Sequence, residues 1–210
     1  MEPGVAREQW LADVGRSTSA EAALDELLAR YREPHRRYHG ELHVHRVVSD
    51  VTELLRTVPT PDAAAVRLAA WYHDAVYEPR AVTNEQASAE LARRTLGELG
   101  IDLLRTAEVA RLILLTAAHE PVDLHADPPA AVLLDADLAV LGADAAAYAA
   151  YARGVRVEYR HVDDAAWRTG RAAVLRRFLD AEHIYSTPAM RERESRARAN
   201  LAAELSTLEA

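Results

Sequence analysis

The sequence predicts an all-α fold, a single domain built as a helical bundle. Three observations predict it. Ala, Leu, Arg and Glu dominate the composition, and all are good helix formers. Glycine and proline are few, 8 and 9 in 210 residues, and fall between periodic stretches. Strand signals are weak: the run LILLTA from Leu112 fits a strand by composition, yet it continues a helical pattern.

The elements follow in order. The first residues, MEPGVAREQWLADVG, carry acids and no apolar core, so no export signal is read there and the cytoplasm is the expected location. Thr18 with Glu21 three residues on reads as a capping box, opening a helix through about Tyr38. Gly40 breaks the pattern, and a second helix runs from about Glu41 to Thr57. Thr60-Pro61 fits an N-cap followed by proline at the first helical position, starting a helix to about Tyr77. A loop with Pro79 leads to Asn84, an N-cap for a helix to about Leu99 that Gly100 ends. The next helix covers about Asp102 to Ala118, and a loop holding His119 and His125 follows to Pro129. Asp127-Pro128-Pro129 introduces a short helix to about Leu141, closed by Gly142. Helical pattern resumes over about Asp144–Tyr159, Asp163–Ala181 and Pro188 to the end. The last twenty residues are expected to form a packed arm or a homodimer element. One domain over 1–210 is expected, its site-bearing core at about 31–142 and its C-terminal helices at about 144–208.

Composition excludes several function classes. Cysteine is absent, which removes disulfides, thiolate metal sites and cysteine nucleophiles. All 25 basic residues are arginine, so Schiff-base and P-loop lysine chemistry is excluded. A net charge of −8 lacks the basic excess of a nucleic-acid binder. The arginine-rich runs RERESRARAN and RTGRAAVLRR lack stacking aromatics, and the first interleaves Glu in the manner of a solvated helix face. No window approaches the roughly 18 apolar residues of a membrane span.

Four residues carry the chemistry. His43 heads an apolar stripe, with Val47, Val51 and Leu54, and so faces inward; His45 falls on a polar stripe and is expected at solvent. His73 and Asp74 are adjacent near a helix end, about 100° apart around the axis, able to grip one ion from two sides. Asp135 and Asp137 sit in the apolar stretch AVLLDADLAVLG, where a carboxylate is costly unless paired or bound to a cation. Each has an ordinary alternative: a hydrogen-bonded core His, a helix-terminal His, internal salt bridges to arginine. Two imidazoles and two carboxylates from separate helices can together hold one divalent metal. Such a ligand set suits Mn, Fe, Co, Ni, Zn or Mg.

The segments YHGELHVHRVVSDV, LAAWYHDAVY and LLDADLAVLG, in that order, resemble the HD-domain superfamily of metal-dependent phosphohydrolases. The element Asn84-Glu85-Gln86-Ala87-Ser88-Ala89 resembles a largely uncharacterised bacterial branch, over about Tyr31 to Leu205. The resemblance implies a helical bundle of HD type with His43, His73, Asp74 and Asp137 as metal ligands. His39, one turn earlier, is the alternative first ligand and otherwise a pocket residue; Asp135 is the reserve for Asp137. Some members hold a second metal on two extra histidines, here His119 and His125; one metal is expected, with His119 lining the pocket and stabilising a leaving group.

The expected function is hydrolysis of a phosphate ester of a small molecule or nucleotide by metal-activated water. Asp74 orients the water or Glu85 takes up a proton, and Arg37 clamps phosphate beside Arg36, with His39 and Asp135 as further pocket residues. The competing readings are a di-iron oxygenase or lyase and a metal-stabilised interaction module without turnover.

Overall fold

The computed structural model describes residues 3–209, and these are all-helical, with no strand among them. Met1, Glu2 and Ala210 lie outside the described residues. The helices are α1 (Pro3–Val14), α2 (Thr18–Tyr31), α3 (Glu41–Leu54), α4 (Ala63–Tyr72), α5 (Asn84–Glu98) and α6 (Leu103–Leu115). They continue with α7 (Pro128–Asp137), a 3-10 turn (Leu138–Gly142), α8 (Ala145–Glu158), α9 (Asp164–Asp180), α10 (Pro188–Arg191) and α11 (Glu194–Glu209). Among the described residues no helix is long and apolar enough to cross a membrane.

Helix α4 is the axis of the bundle. Val66, Leu68, Ala69, Ala70, Trp71 and Tyr72 are all buried, and α3, α5, α6 and α7 surround it. A helix whose only charged residue is Arg67, itself paired with Asp13, has to be enclosed on its other sides. The sequence reading assigned no helix before Thr18; the structure has α1 there. Ala6, Trp10 and Val14 form an i, i+4, i+8 stripe against the core, and Trp10 meets Trp71 edge-on at 6.1 Å. The Trp10 indole N–H donates to the Ala20 carbonyl at 2.8 Å.

Boundaries shift for local reasons. Ser17, not Thr18, caps α2, its hydroxyl accepting from the Ala20 N–H. Helix α2 stops at Tyr31 rather than Tyr38 because Pro34 disfavours helical geometry at Glu33. Asp62 replaces Thr60 as the cap of α4, and Thr83 takes the N-cap position of α5, making Asn84 its first residue. Helix α4 ends at Tyr72, so the 73–77 stretch is turn rather than helix. The aspartates at 102, 127, 144 and 163, near which the sequence reading opened helices, each cap one with the side chain.

The C-terminal helices form a second layer beside the core. Helix α11 packs on α9 and on the 3-10 turn, so the terminal segment is a packed arm. Arg171 on α9 grips Glu204 on α11 through two bonds of 2.8 and 2.9 Å. Glycine also lies inside helices, against the sequence reading. Gly154 in α8 is the place where Tyr38 packs: a Cβ there would sit 3.1 Å from the Tyr38 Cβ.

Candidate metal centre and its cavity

Helix α4 leaves its last carbonyls without intrahelical partners, as every helix does. The sequence meets them with side chains. Tyr31 donates to the Trp71 carbonyl at 2.9 Å. The His73 Nδ1–H donates to Ala70 at 2.8 Å. Arg36, buried, donates to the carbonyls of His39, Asp74 and Ala75. The turn carrying His73 and Asp74 is thereby pinned to the segment carrying His39. Its far end is held by the Asn84–Ala89 element: Asn84 bonds both the N–H and the carbonyl of Glu78, and Ser88 does the same for Val76.

Three helix systems meet at this turn. His43 comes from α3, His73 and Asp74 from the end of α4, and Asp137 from the end of α7. The Nε2 atoms of His43 and His73 are 3.0 Å apart. Asp74 Oδ2 lies 3.4 and 3.3 Å from them, and Asp137 Oδ1 lies 3.2 and 3.5 Å from them. One ligand atom each from His43, His73 and Asp74 falls within 4.8 Å of the others, a group able to hold a metal ion. Ligands about 2.1 Å from a common ion stand roughly 3.0 Å apart in octahedral and about 3.4 Å apart in tetrahedral geometry. The separations within that group of three match those edges, and Asp137 stands beside it at similar distances from the two imidazoles. The donor chemistry fits as well: His73 engages Nδ1 on a carbonyl, which leaves Nε2 as a lone-pair donor toward the cluster.

The electrostatics are those of a desolvated cluster. Burial by itself raises the Asp74 carboxyl, but the His73 charge and bonds from His43 and His73 outweigh it and hold the group well below its usual range. Asp137 is depressed in the same way, by His73 and by bonds from His119, His43 and His73. Burial opposes a charge on the two imidazoles, yet the facing carboxylates raise both, His73 most.

His119 follows α6 at φ 49°, in the left-handed region where histidine is one of the tolerated residues. That turn aims its Nε2–H at Asp137 Oδ2, 2.7 Å away. Beside the cluster opens a cavity of about 710 Å³, whose wall includes Asp74, Asp137, His119, His39 and Glu85.

Some expected residues lie elsewhere. Arg37 is exposed and is not part of the cavity wall; its guanidinium donates to the Arg36 carbonyl, which corrects its assignment as the phosphate clamp. Asp135 is also corrected. It is buried away from the cavity and accepts the backbone N–H groups of Ser186 and Thr187, so it anchors the start of α10. Residues 135 and 137 differ by about 200° around a helix, so the two face opposite ways. His125 is exposed and outside the wall, which leaves His119 without a second imidazole for another metal. His45 is not at solvent: its side chain is 12% exposed and its ring meets Trp71 at 5.4 Å.

The sequence reading missed Glu158, at the end of α8. One carboxylate oxygen accepts the backbone N–H groups of Arg37, Tyr38 and His39 at 2.6–3.0 Å. The other accepts the His39 Nδ1–H at 2.7 Å and the Tyr77 hydroxyl at 3.0 Å. Burial opposes its charge, but these donors outweigh burial and bring it down to about 2. His39 is stacked on Tyr77, ring centroids 4.3 Å apart, so its orientation is fixed from two sides.

Comparison with known proteins gave no match to a family model, a curated protein or a solved structure.

Proposed function

We propose that this protein is a metal-dependent phosphohydrolase of HD type, cleaving a phosphate ester of a small molecule. The observation that carries the reading is the convergence of His43, His73, Asp74 and Asp137, two imidazoles and two carboxylates, beside an open cavity. These four side chains would hold one divalent cation. A cation in such a site lowers the pKa of bound water from 15.7 toward about 7 and offsets charge on a phosphoryl oxygen.

The chain's own residues supply the rest. In hydrolysis a water oxygen bonds to phosphorus as the ester P–O bond breaks; the water loses a proton and the departing alkoxide gains one. Glu85 on the cavity wall takes the water's proton. The alkoxide gains its proton from the Nε2–H of a protonated His39, whose Nδ1–H is held by Glu158 and which returns to the neutral ring. His119, on the cavity wall, acts through Asp137 and is a positioning residue.

Elemental analysis of the purified protein, with a screen of phosphate monoesters, diesters and nucleotides across divalent metals, tests the proposal. The expected result is about one metal per chain, and phosphate release that needs metal and is lost in His73→Ala. Metal-independent release, or equal release by His73→Ala, overturns it. Two irons per chain with oxygen-dependent turnover would instead establish the oxygenase reading.

A further inference from the structure

Two files of rings run from the metal cluster into the second helical layer, and both line the cavity. In the first, the Tyr38 ring meets His43 at 4.7 Å and Tyr151 at 4.6 Å, and Tyr151 in turn carries the Arg171 guanidinium over its face at 5.2 Å. In the second, His39 stacks on Tyr77, and further along the wall Tyr159 meets Trp167 at 5.8 Å. Helix α9 closes the far wall with Trp167, Gly170, Val174 and Phe178, one stripe at three- and four-residue spacing. Val174 is 39% exposed there, an apolar side chain kept facing open space rather than packed.

Several polar groups of this outer wall are already engaged. Tyr151 accepts from Arg171, whose other nitrogens hold Glu204. Asn84 is bonded at both ends to Glu78, and the Thr116 hydroxyl donates to Ile113. Arg177, which no ion pair engages among the described residues, lies over Phe178 at 5.2 Å and adds its flat face to the wall. A ligand body seated here finds ring faces and aliphatic area but few partners for hydroxyl groups. The volume suits a whole small molecule, its charged end at the cluster and its body among the rings.

We propose that the cavity selects phosphate esters of apolar, aromatic alcohols over sugar phosphates and nucleotides. The inference rests on the phosphohydrolase reading for its chemistry, though not for its binding. A wall that offers mainly ring faces and aliphatic area discriminates against a hydroxylated body by roughly 10- to 100-fold, the range typical of apolar pockets.

The test uses the full-length, metal-loaded protein. Benzyl phosphate, glycerol 1-phosphate and a nucleoside 5′-monophosphate are all esters of primary alcohols, so their leaving groups are comparable. We expect kcat/KM for benzyl phosphate to exceed the other two by at least about tenfold, expressed through KM. Trp167→Ala and Val174→Asp should bring the three substrates to within about threefold of one another. Val174 is partly exposed, so its variant keeps the fold if Trp167→Ala does not. Equal or better cleavage of the nucleotide or of glycerol 1-phosphate overturns the inference.

Calorimetry with benzylphosphonate and methylphosphonate, which have no ester bond, reads the cavity without turnover. A tenfold preference for benzylphosphonate, removed by Val174→Asp, sustains the inference even if no ester is cleaved and the hydrolase reading fails. Turnover without any benzyl preference leaves the hydrolase reading standing and sinks this one.

Discussion

Glu158 accepts three backbone N–H groups on one oxygen and the His39 ring and Tyr77 hydroxyl on the other. Its carboxyl falls from an ordinary 4.5 to about 2 in the folded chain. A depressed carboxyl contributes stability that is complete above the unfolded value and is lost as pH falls through the folded one. The window is therefore about pH 4.5 down to 2, and the contribution is about 3 kcal/mol. Glu158→Gln keeps an acceptor for the backbone but removes the charge. Thermal melting should show the wild type losing stability more steeply than the variant through that window, the two curves converging at its acid end. Parallel curves would show that Glu158 is not ionised by its neighbours. His119 gives a second residue-level test. Glycine adopts its φ of 49° without strain, whereas the left-handed region costs other residues about 1 kcal/mol or more. His119→Gly should melt at or above the wild-type temperature yet bind metal roughly 10- to 100-fold more weakly, because Asp137 loses its hydrogen-bonding partner. Unchanged affinity would remove His119 from the site.

At the scale of elements, α7 carries two aspartates that serve different ends. Asp135 faces Ser186 and Thr187, and Asp137 faces the imidazoles. Asp135→Ala strands two backbone N–H groups, so it should lower unfolding free energy by about 3 kcal/mol in a denaturant titration and leave metal affinity unaltered. Asp137→Ala should abolish metal binding. A swap of these outcomes would reassign the ligand. The sequence alone leaves the pair undecided, because both acids have leucine neighbours and either is costly to bury unpaired. What it does reveal is what acts locally: aspartates that cap helices within three residues, the inward stripe of His43, and the Asn84–Ser88 spacing whose partners lie 6 and 12 residues back. Glu158 leaves no such trace, since its partners are 81 to 121 residues away and nothing in VRVEYR marks it as different from a surface acid. Helix α1 is the opposite case: its stripe at Ala6, Trp10 and Val14 is legible in the sequence at four-residue spacing.

Across the whole molecule, the cluster ties α3, α4 and α7 together at one point, while α9 and α11 are tied to each other by Arg171 and Glu204. A cation that binds the native cluster and not the unfolded chain stabilises by about 4 kcal/mol at a thousandfold excess over its dissociation constant. In a chain of this size each kcal/mol moves the melting temperature by about 2–4 °C. Chelation should therefore lower Tm by roughly 10 °C, readdition of the native metal should restore it, and His73→Ala should melt alike in both conditions. Hydrogen exchange should locate the change. Protection lost on chelation should concentrate at the end of α4, the start of α3, the end of α7 and the turn at His119, where the donors reside. The α9–α11 pair makes no contribution to the cluster and should exchange at the same rate with and without metal. Uniform loss of protection would mean that the ion supports global stability without being held by these four side chains, and a melting temperature indifferent to chelation in the wild type would sink the metal centre itself.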